Sequence, residues 1–328
     1  MYQNFSEFLQ NKSKICVIQA ENPDGDSLGS SLALEALLED KEVSLYCPVN
    51  VPKYLRYFSG WERIDQNFDY HADGYIIVDT AATILLSKLL DDLVIRNILY
   101  AKPIFVIDHH ETADDLDFSH QSVIEHLPSC TNLIYKIAID QNIKINQSAA
   151  ENIFQGLLSD TLGLTTAGVT ADTFRVAAHL TELGADINKL EENRKEYMKK
   201  SRRILDYKAD LIKRIEYSLD DKLSTIHIPW SDITEFSDEY NPNALILEEM
   251  KMVEGVEVAV AIKTYPDGKV TGKIRTSKPI ADKVAGYFGG GGHPFAAGFR
   301  TYDATYDDVL RDLVFCCNDL LFKSEETN

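Results

Sequence analysis

Four short segments of the sequence carry carboxylates or histidines that could bind a metal ion. The segments are Asn22-Pro23-Asp24-Gly25-Asp26, Ile77-Val78-Asp79, Asp108-His109-His110 and Ser159-Asp160-Thr161. Carboxylate oxygens suit hard divalent ions and imidazole suits transition metals, so the mixture favours Mn²⁺ and related ions. Each segment alone is weak evidence, because Pro-Asp-Gly is common in turns and paired histidines are common in exposed loops. Their shared position after an apolar run predicts one divalent-metal site.

The apolar runs before three of these segments predict buried parallel strands. They occupy residues 15–18, 75–78 and 104–107. In open α/β sheets, ligands bind beyond the carboxyl ends of such strands. Helical periodicity over residues 149–158 predicts a helix that leads directly into the fourth segment. We therefore expect residues that are far apart in the sequence to converge in one crevice.

The order of the elements predicts two α/β domains. Residues 1–187 predict a doubly wound parallel-sheet domain, 188–217 a long linking helix, and 218–328 a smaller C-terminal α/β domain. A hairpin is expected around Tyr265-Pro266-Asp267-Gly268, because Pro and Gly suit its turn positions. We expect the active site in the cleft between the domains. Further elements are predicted as a strand at 43–47 and helices at 132–141, 173–184, 279–288 and 309–322.

Charge excludes one class of partner. The formal net charge is −19, which opposes long nucleic acids, because affinity for them comes mainly from Lys and Arg that neutralise phosphates. A small anionic substrate remains compatible, since metal ions and a few positioned cations act locally. We therefore expect short substrates.

Cysteine usage and hydropathy indicate a cytoplasmic protein. The five cysteines lack CxxC spacing, which argues against a disulfide framework and a zinc site. The first 14 residues lack a basic segment followed by an apolar core, and no apolar run approaches the roughly 20 residues of a membrane helix. We expect no membrane partner.

The ordered set of motifs resembles the DHH phosphoesterase superfamily, which is named for the residues found here as Asp108-His109-His110. The C-terminal half adds Lys273-Ile274-Arg275-Thr276-Ser277, followed by the sequence GGGGHPFAAG at residues 289–298. These motifs resemble the DHH-associated substrate domain of the cytoplasmic nano-RNase and phosphoadenosine-phosphate phosphatase branch. The resemblance extends from about residue 13 to about residue 320.

The resemblance implies two divalent metal ions, with Mn²⁺ the expected metal. Asp79 would bridge both ions, Asp24 would bind the first, and Asp26, His109 and Asp160 would bind the second. Two ions about 3.5–4 Å apart can activate a water for in-line attack on phosphorus. Asp108 would orient a neighbouring ligand, and His110 would contact the phosphate as a catalytic residue.

The run of four glycines suggests a second binding element. Glycine lets the backbone approach a ligand closely and can turn successive amide N–H groups toward an anion. His293 directly follows the run, and Arg275 lies on a nearby predicted strand. We therefore interpret the run as a clamp for a terminal phosphate or nucleotide rather than as simple tight packing. The predicted substrate-binding residues are Arg275, Thr276, Ser277, Gly290, Gly291, Gly292 and His293.

One position departs from the family pattern. A histidine normally stands three residues before the proline of the first motif and completes the first metal site, and here that position is Ala20. One hypothesis is that Glu21, Gln19 or water takes its place, with activity retained and metal preference altered. The other is that only the second ion binds firmly.

These features predict a metal-dependent phosphoesterase that hydrolyses short oligoribonucleotides or dinucleotides such as pApA, with phosphoadenosine phosphate as a further candidate substrate. The substitution at Ala20 motivates an alternative, a nucleotide-binding regulatory protein with weak or no turnover. A further alternative is an inorganic pyrophosphatase or polyphosphatase, against which Arg275 and the glycine run argue. The resemblance is compatible with a homodimer.

Overall fold

The computed structural model of the protein describes residues 2–110, 114–302 and 304–322, with only the backbone described for His293. The chain forms two compact units that meet in the sequence between Lys199 and Lys200. None of the helices in the described ranges has the length and apolar character needed to cross a lipid bilayer.

The first unit contains a six-stranded sheet in which all neighbouring strands are parallel. Its strands are β1 (Lys14–Ile18), β2 (Glu42–Tyr46), β3 (Ile64–Asp65), β4 (Gly74–Val78), β5 (Ile104–Asp108) and β6 (Gln121–Ile124). The strand order is β3-β2-β1-β4-β5-β6. The chain builds outward from β1 and then returns to its other side, so the topological switch point lies between β1 and β4.

Helices cover both faces of this sheet, which confirms the predicted doubly wound architecture. They are α1 (Gln3–Leu9), α2 (Gly25–Leu37), α3 (Ser87–Asp91), α4 (Leu93–Ala101), α5 (Cys130–Asp140), α6 (Gln147–Asp160), α7 (Ala171–Glu182) and α8 (Ile187–Tyr197). Val17 and Val78 pack with apolar residues of α2, α5 and α6 on one face. Ile18 and Ile77 pack with α3 and α4 on the other. Burial on both faces explains why β1, β4 and β5 read as nearly continuous apolar runs.

The second unit is a smaller α/β domain, as the sequence predicted, and its sheet is mixed. Its elements are α9 (Arg202–Lys213), β7 (Glu216–Ser218), β8 (Leu223–Ile228), α10 (Trp230–Phe236), α11 (Pro242–Lys251), β9 (Val258–Thr264), β10 (Val270–Thr276), α12 (Ala281–Tyr287), β11 (Gly291–His293), β12 (Ala296–Thr301) and α13 (Tyr306–Phe322). The strand order is β11-β12-β10-β9-β8-β7. Only the β8–β9 pair is parallel. The hairpin predicted around Tyr265 joins β9 to β10.

The prediction of a single linking helix over residues 188–217 is wrong, because the structure divides this segment into α8 and α9. The side chain of Ser201 accepts a hydrogen bond from the backbone N–H of Ile204 and caps a new helix. A serine cap satisfies an amide that lacks a partner within its helix, so it favours a helix start at this point. The division falls at the boundary between the two units.

Candidate metal centre

The carboxyl end of β1 leads into a tight helix start that carries the first two acids. The Oδ1 atom of Asp24 accepts hydrogen bonds from the backbone N–H groups of Asp26 and Ser27, at 3.0 and 2.9 Å. The Ser27 hydroxyl accepts in turn from the Asp24 N–H at 2.9 Å. This reciprocal cap begins α2 and places Asp26 in its first turn, buried at the switch point.

Asp26 is held by a second helix that the sequence analysis did not connect to it. Its Oδ2 atom accepts a hydrogen bond from the N–H of Cys130 at 2.5 Å. Its Oδ1 atom accepts from the N–H and the hydroxyl of Thr131, at 3.0 and 2.7 Å. The amides at the start of α5 therefore hold the carboxylate and partly balance its charge. The helix begins here because the side chain of Ser129 caps it, accepting from the N–H of Asn132 at 3.0 Å.

Asp79 follows β4 in an unusual backbone conformation. Its φ angle is 63°, in the left-handed region that residues other than glycine rarely adopt. The residue is 7% exposed, and its Oδ1 atom is buried without a hydrogen-bond partner among the described residues. Backbone strain and an unsatisfied buried carboxylate each cost free energy, and both together are typical of a functional position.

The two histidines that follow β5 are oriented differently. The Nδ1 atom of His109 lies 2.8 Å from the carbonyl oxygen of Leu127, which fixes the proton on that nitrogen. Its Nε2 atom is buried without a hydrogen-bond partner among the described residues. A neutral imidazole held in this way presents one lone pair, which is the usual state of a metal-binding histidine.

His110 is paired with Asp108 instead. Its Nδ1 atom lies 2.7 Å from Oδ1 of Asp108, and this carboxylate also accepts from the N–H of His109 at 2.8 Å. The hydrogen bond to Asp108 raises the pKa of His110. Burial acts to raise the pKa of Asp108, but the hydrogen bond and charge of His110 outweigh it, so that pKa is lowered. Asp108 therefore orients His110.

Asp160 is brought to the site by the close approach of α6 to α2. A Cβ atom at Gly25 would overlap the side chain of Ser159, and one at Gly29 would lie 2.8 Å from the backbone carbonyl oxygen of Asn152. Only glycine at these two positions permits the observed separation of the helices. As a result, the end of α6 reaches the switch point and presents Asp160 there.

These side chains converge on the Nε2 atom of His109. It lies 3.4 Å from Oδ1 of Asp79, 3.7 Å from Oδ2 of Asp26 and 3.7 Å from Oδ2 of Asp160. Two groups of potential ligand atoms result, one formed by Asp26, His109 and Asp160 and the other by Asp79, His109 and His110. The first group reproduces the three residues that the resemblance assigned to the second metal ion.

Negative charge is concentrated in this site. Burial, followed by the charges of Asp24 and Asp26, raises the pKa of Asp79 well above its usual value. Burial also raises the pKa of Asp26. Burial and the charge of Asp26 raise the pKa of Asp160 to about 7. Buried carboxylates that repel one another are stabilised by a cation placed between them.

The chemistry of the donor set fits a divalent cation. The site offers carboxylate oxygens and the imidazoles of His109 and His110, and two of the potential ligand atoms, Asp79 Oδ1 and His109 Nε2, are buried without hydrogen-bond partners among the described residues. Oxygen with imidazole suits Mn²⁺ and similar ions. The residues present therefore fit a metal centre.

Neither ligand group contains the three residues at or just before the first motif on which the first metal site depends in the sequence: Ala20, Glu21 and Asp24. Asp24 caps α2 and joins neither group, although its charge contributes to the raised pKa of Asp79. Ala20 is buried and accepts a hydrogen bond from the thiol of Cys47 through its backbone carbonyl, at 3.5 Å. The Oε2 atom of Glu21 accepts from the hydroxyl of Ser87 at 2.9 Å and the N–H of Lys88 at 2.8 Å. The structure thus engages Glu21 at the start of α3 and not in either ligand group.

A pocket opens beside Asp24 within the first unit. Its volume is about 470 Å³, and Tyr54, Tyr57 and Arg194 contribute to its wall. The side chain of Arg194 makes two hydrogen bonds to Glu191, at 2.7 and 2.8 Å, so its charge is largely balanced. Local sequence patterns do not indicate this pocket, because its wall combines residues from segments that are far apart in the chain.

The glycine run of the second unit forms an edge strand and not a free loop. Residues Gly291–His293 form β11, which pairs with β12. A Cβ atom at Gly290 would lie 2.7 Å from Cα of Phe299, and one at Gly292, where φ is 144°, would lie 2.6 Å from Cα of Ala297. Tight packing, the alternative to a phosphate clamp, thus accounts for Gly290 and Gly292. A Cβ at Gly291 would meet no atom within 4 Å.

The other predicted substrate-binding residues lie on β10, just after it, and at the end of β11. The Thr276 hydroxyl donates to the carbonyl of Lys278 at 2.6 Å, so it is used within the fold. Ser277 is exposed, and its N–H donates to the carbonyl of Glu257 at 3.0 Å. Arg275 donates from Nη1 to the carbonyl of Ile274 at 3.0 Å and is partly exposed on β10. The side chain of His293 lies outside the described part of the chain.

Two known domain families match the sequence. Residues 14–169 match the family described as DHH family, N-terminal domain, and residues 234–316 match the DHHA1 domain. These ranges contain the candidate metal centre and the glycine run, respectively.

Two relatives and one solved structure show the extent of the similarity. A probable bifunctional oligoribonuclease and PAP phosphatase of Streptococcus mutans serotype c is 25% identical over 89% of this chain and 91% of its own. A probable manganese-dependent inorganic pyrophosphatase of Streptococcus agalactiae serotype Ia is 30% identical over 57% of this chain and 60% of its own. The crystal structure of an exopolyphosphatase-related protein from Bacteroides fragilis matches with a TM-score of 0.85 at 20% identity, covering 97% of this chain and 96% of that one. This last match shows the shared fold.

Proposed function

We propose that this chain, which belongs to the DHH family and carries a DHHA1 domain, is a Mn²⁺-dependent phosphoesterase that hydrolyses short oligoribonucleotides such as pApA. Phosphoadenosine phosphate is a second candidate substrate. The observation that carries the proposal is the convergence of three carboxylates on the buried Nε2 atom of His109, within 3.4 to 3.7 Å. The similarity to a probable oligoribonuclease and PAP phosphatase over 89% of the chain supports this substrate class.

Divalent metal ions, when bound, would supply an activated water and neutralise charge on the phosphate. Asp26, His109 and Asp160 would hold one ion, and Asp79 with Asp24 would hold the other. Both capping hydrogen bonds that Asp24 accepts end on Oδ1. Its carboxylate therefore retains acceptor capacity.

The remaining steps belong to the chain's own residues. Asp108 keeps the proton of His110 on Nδ1 and raises the pKa of the imidazole. A positioned imidazole can donate to a phosphate oxygen and stabilise charge that develops in the transition state. The amides of Cys130 and Thr131 fix Asp26 in place and favour its ionised form, in opposition to the burial that raises its pKa.

Two features favour a small substrate. The net charge of −19 opposes long polyanions, and the pocket of about 470 Å³ beside Asp24 is of the size that binds a small molecule. The aromatic rings of Tyr54 and Tyr57 in its wall suit a nucleobase. In the second unit, we propose that Arg275, Gly291 and His293 contact the substrate. A homodimer and a cytoplasmic location stay predictions.

The test is hydrolysis of pApA by the purified 328-residue chain with Mn²⁺, with pyrophosphate assayed in parallel. The Asp79→Asn variant controls for contaminating nuclease. We expect mononucleotide release that the variant lacks. Cleavage of pyrophosphate alone would overturn the proposal in favour of the pyrophosphatase alternative, which the Streptococcus agalactiae relative motivates. Binding of pApA without turnover would favour the regulatory alternative that Ala20 motivates.

A further inference from the structure

The pocket beside Asp24 adjoins the candidate metal centre through its wall residues. Asp24 lines it, and the charge of this residue acts on Asp79 and Asp160. Ser159 also lines the pocket and directly precedes Asp160 in the chain. A Cβ atom at Gly25 would overlap the side chain of Ser159, so the start of α2 and the end of α6 meet at this point. A group bound in the pocket would therefore lie next to the metal centre.

Gln155 contributes an unsatisfied polar group to the wall of this pocket. The residue lies on α6, one turn before Ser159, and is only 5% exposed. Its amide nitrogen, Nε2, is buried without a hydrogen-bond partner among the described residues. Rotation about the last torsion of the side chain exchanges the amide nitrogen and oxygen, so either group can face a ligand. Because a buried polar group without a partner costs free energy, a ligand that bonds to this amide would gain affinity.

The segment after Asp160 has a strained backbone that exposes an apolar side chain at the pocket. Leu162, Gly163 and Leu164 have φ angles of 49°, 75° and 66°, all in the left-handed region that leucine rarely adopts. The hydroxyl of Thr161 fixes this conformation by accepting from the N–H of Leu164 at 3.0 Å. As a result, Leu162 lines the pocket and is 74% exposed. Backbone strain of this kind is typical of positions that contact a ligand.

The charges in the wall argue against a bound phosphate. The guanidinium of Arg194 makes two hydrogen bonds to Glu191, at 2.7 and 2.8 Å, and Asp24 adds a negative charge. Tyr54 and Tyr57 contribute aromatic rings. A phosphate is bound by cations or positioned donors, whereas a nucleobase offers flat faces for stacking and an edge for hydrogen bonds. The pocket thus suits the base of a nucleotide and not its phosphate.

We propose that Gln155 and Leu162 determine substrate specificity by binding the nucleobase next to the scissile phosphate. The amide of Gln155 can pair with adenine by donating to a ring nitrogen and accepting from the 6-amino group. Leu162 and Tyr54 supply apolar and aromatic surface for the faces of the base. The place of this base in a substrate rests on the proposed function, whereas binding of a free nucleoside does not require the metal centre.

The test is saturation-transfer NMR of the 328-residue chain in EDTA, with adenosine and ribose as ligands. We expect adenosine to bind, and ribose to bind at least about tenfold more weakly. Gln155→Leu and Leu162→Asn should each raise the Kd for adenosine about tenfold. Gln147→Leu is the matched control, because Gln147 is an exposed glutamine on the same helix whose amide donates to Glu151 at 3.0 Å. It should leave the Kd unchanged.

Thermal melting without ligand separates base binding from a structural role. Gln155→Leu removes a buried donor that has no partner among the described residues, so the Tm should not fall. Leu162→Asn should raise the Tm, because asparagine tolerates the left-handed conformation. Equal affinity for adenosine and ribose, or an unchanged Kd for adenosine in both variants, would overturn the base site. A higher Kd accompanied by a lower Tm would assign the residue a structural role instead.

Kinetics with pApA and Mn²⁺ distinguish this inference from the proposed function. Gln155→Leu should raise KM about tenfold and lower kcat less than about threefold, because the base contact forms already in the bound substrate. Adenosine binding that depends on Gln155, in a chain that does not hydrolyse pApA, would refute the phosphoesterase proposal and support the base site. Turnover of pApA with a KM that neither variant changes would support the phosphoesterase and overturn the base site.

Discussion

The Nε2 atom of His109 lies 3.4 Å from Oδ1 of Asp79, and neither buried atom has a hydrogen-bond partner among the described residues. His109 follows β5 and Asp79 follows β4, so the pairing of these two strands brings the two atoms together. In the unprotonated forms that bind metal ions, these two atoms do not stabilise each other. Both are suited to a shared cation.

Asp79→Asn tests this relationship. The substitution removes a charge that burial and other carboxylates destabilise, so we expect the Tm measured in EDTA to rise. Turnover of pApA with Mn²⁺ should fall about a thousandfold or more, which corresponds to about 4 kcal/mol of activation free energy. Calorimetry with Mn²⁺ should show weakened metal binding. A variant with normal metal affinity would contradict the assignment of Asp79 as a ligand.

Asp108→Asn tests the orientation of His110. The amide oxygen can still accept from the backbone N–H groups, but the ring loses its charged partner. We expect kcat to fall about 10²- to 10⁴-fold with little change in Tm. His110→Gln should cost a similar factor, and the double variant should be no worse than the more severe single variant, because both changes remove one unit. Losses that multiply in the double variant would show independent roles.

Ala20→His tests whether the first metal site is weakened. The structure engages Glu21 at α3, which leaves the position of the family's histidine without a replacement from that residue. We expect the substitution to raise turnover of pApA about tenfold or more at limiting Mn²⁺, and less at saturating Mn²⁺. Ala20→Gln serves as a control of similar polarity. No gain at any Mn²⁺ concentration would show that the site functions without the histidine.

Two alanine variants, Gly290→Ala and Gly291→Ala, test which position of the glycine run is required for packing. A Cβ at Gly290 would lie 2.7 Å from Cα of Phe299, whereas one at Gly291 would meet no atom within 4 Å. We expect Gly290→Ala to lower the free energy of unfolding by about 1–3 kcal/mol, because overpacking strains the backbone. Gly291→Ala should change it by less than about 0.5 kcal/mol. Urea unfolding measures both, and equal effects would contradict the packing role of Gly290.

His227 gives the second unit a predictable dependence on pH. Burial, followed by the charge of Arg214, lowers the pKa of this residue. Its ring stacks on Tyr306 with centroids 4.2 Å apart. The unfolded chain takes up a proton near its ordinary pKa of about 6.5, where the folded chain does not. Stability is therefore present above that pH and is lost as the pH falls through the lowered pKa of the folded state.

The measurement is urea unfolding between pH 7.5 and 5, followed by the fluorescence of Trp230 in a Trp61→Phe background. His227→Phe keeps an aromatic ring against Tyr306 and should reduce the loss of stability at low pH. His71→Gln, at an exposed position in the first unit, should leave the pH dependence unchanged. An identical slope in the His227 variant would show that another group controls it.

Much of the first unit was predictable from local patterns. The runs before Asp79 and Asp108 are apolar at every position because both faces of the sheet are covered, and such runs identify buried parallel strands. The rule that ligands gather at the carboxyl ends of these strands then brought Asp26, Asp79 and His109 together without coordinates. Helix ends were less accurate, as at α5, because Ser129 determines its start through one side-chain hydrogen bond.

What the sequence determined by itself was therefore the identity of the elements and the chemistry at their ends, because periodicity and residue type act over a few neighbours. The tertiary structure alone decided which groups are satisfied. It paired Asp26 with the amides of Cys130 and Thr131, paired Glu21 with the start of α3, and left Lys263 without a carboxylate partner among the residues the structure describes. These outcomes depend on contacts between segments more than 20 residues apart. Partners at such separations are set by packing and by the approach of whole elements, which local sequence patterns do not encode.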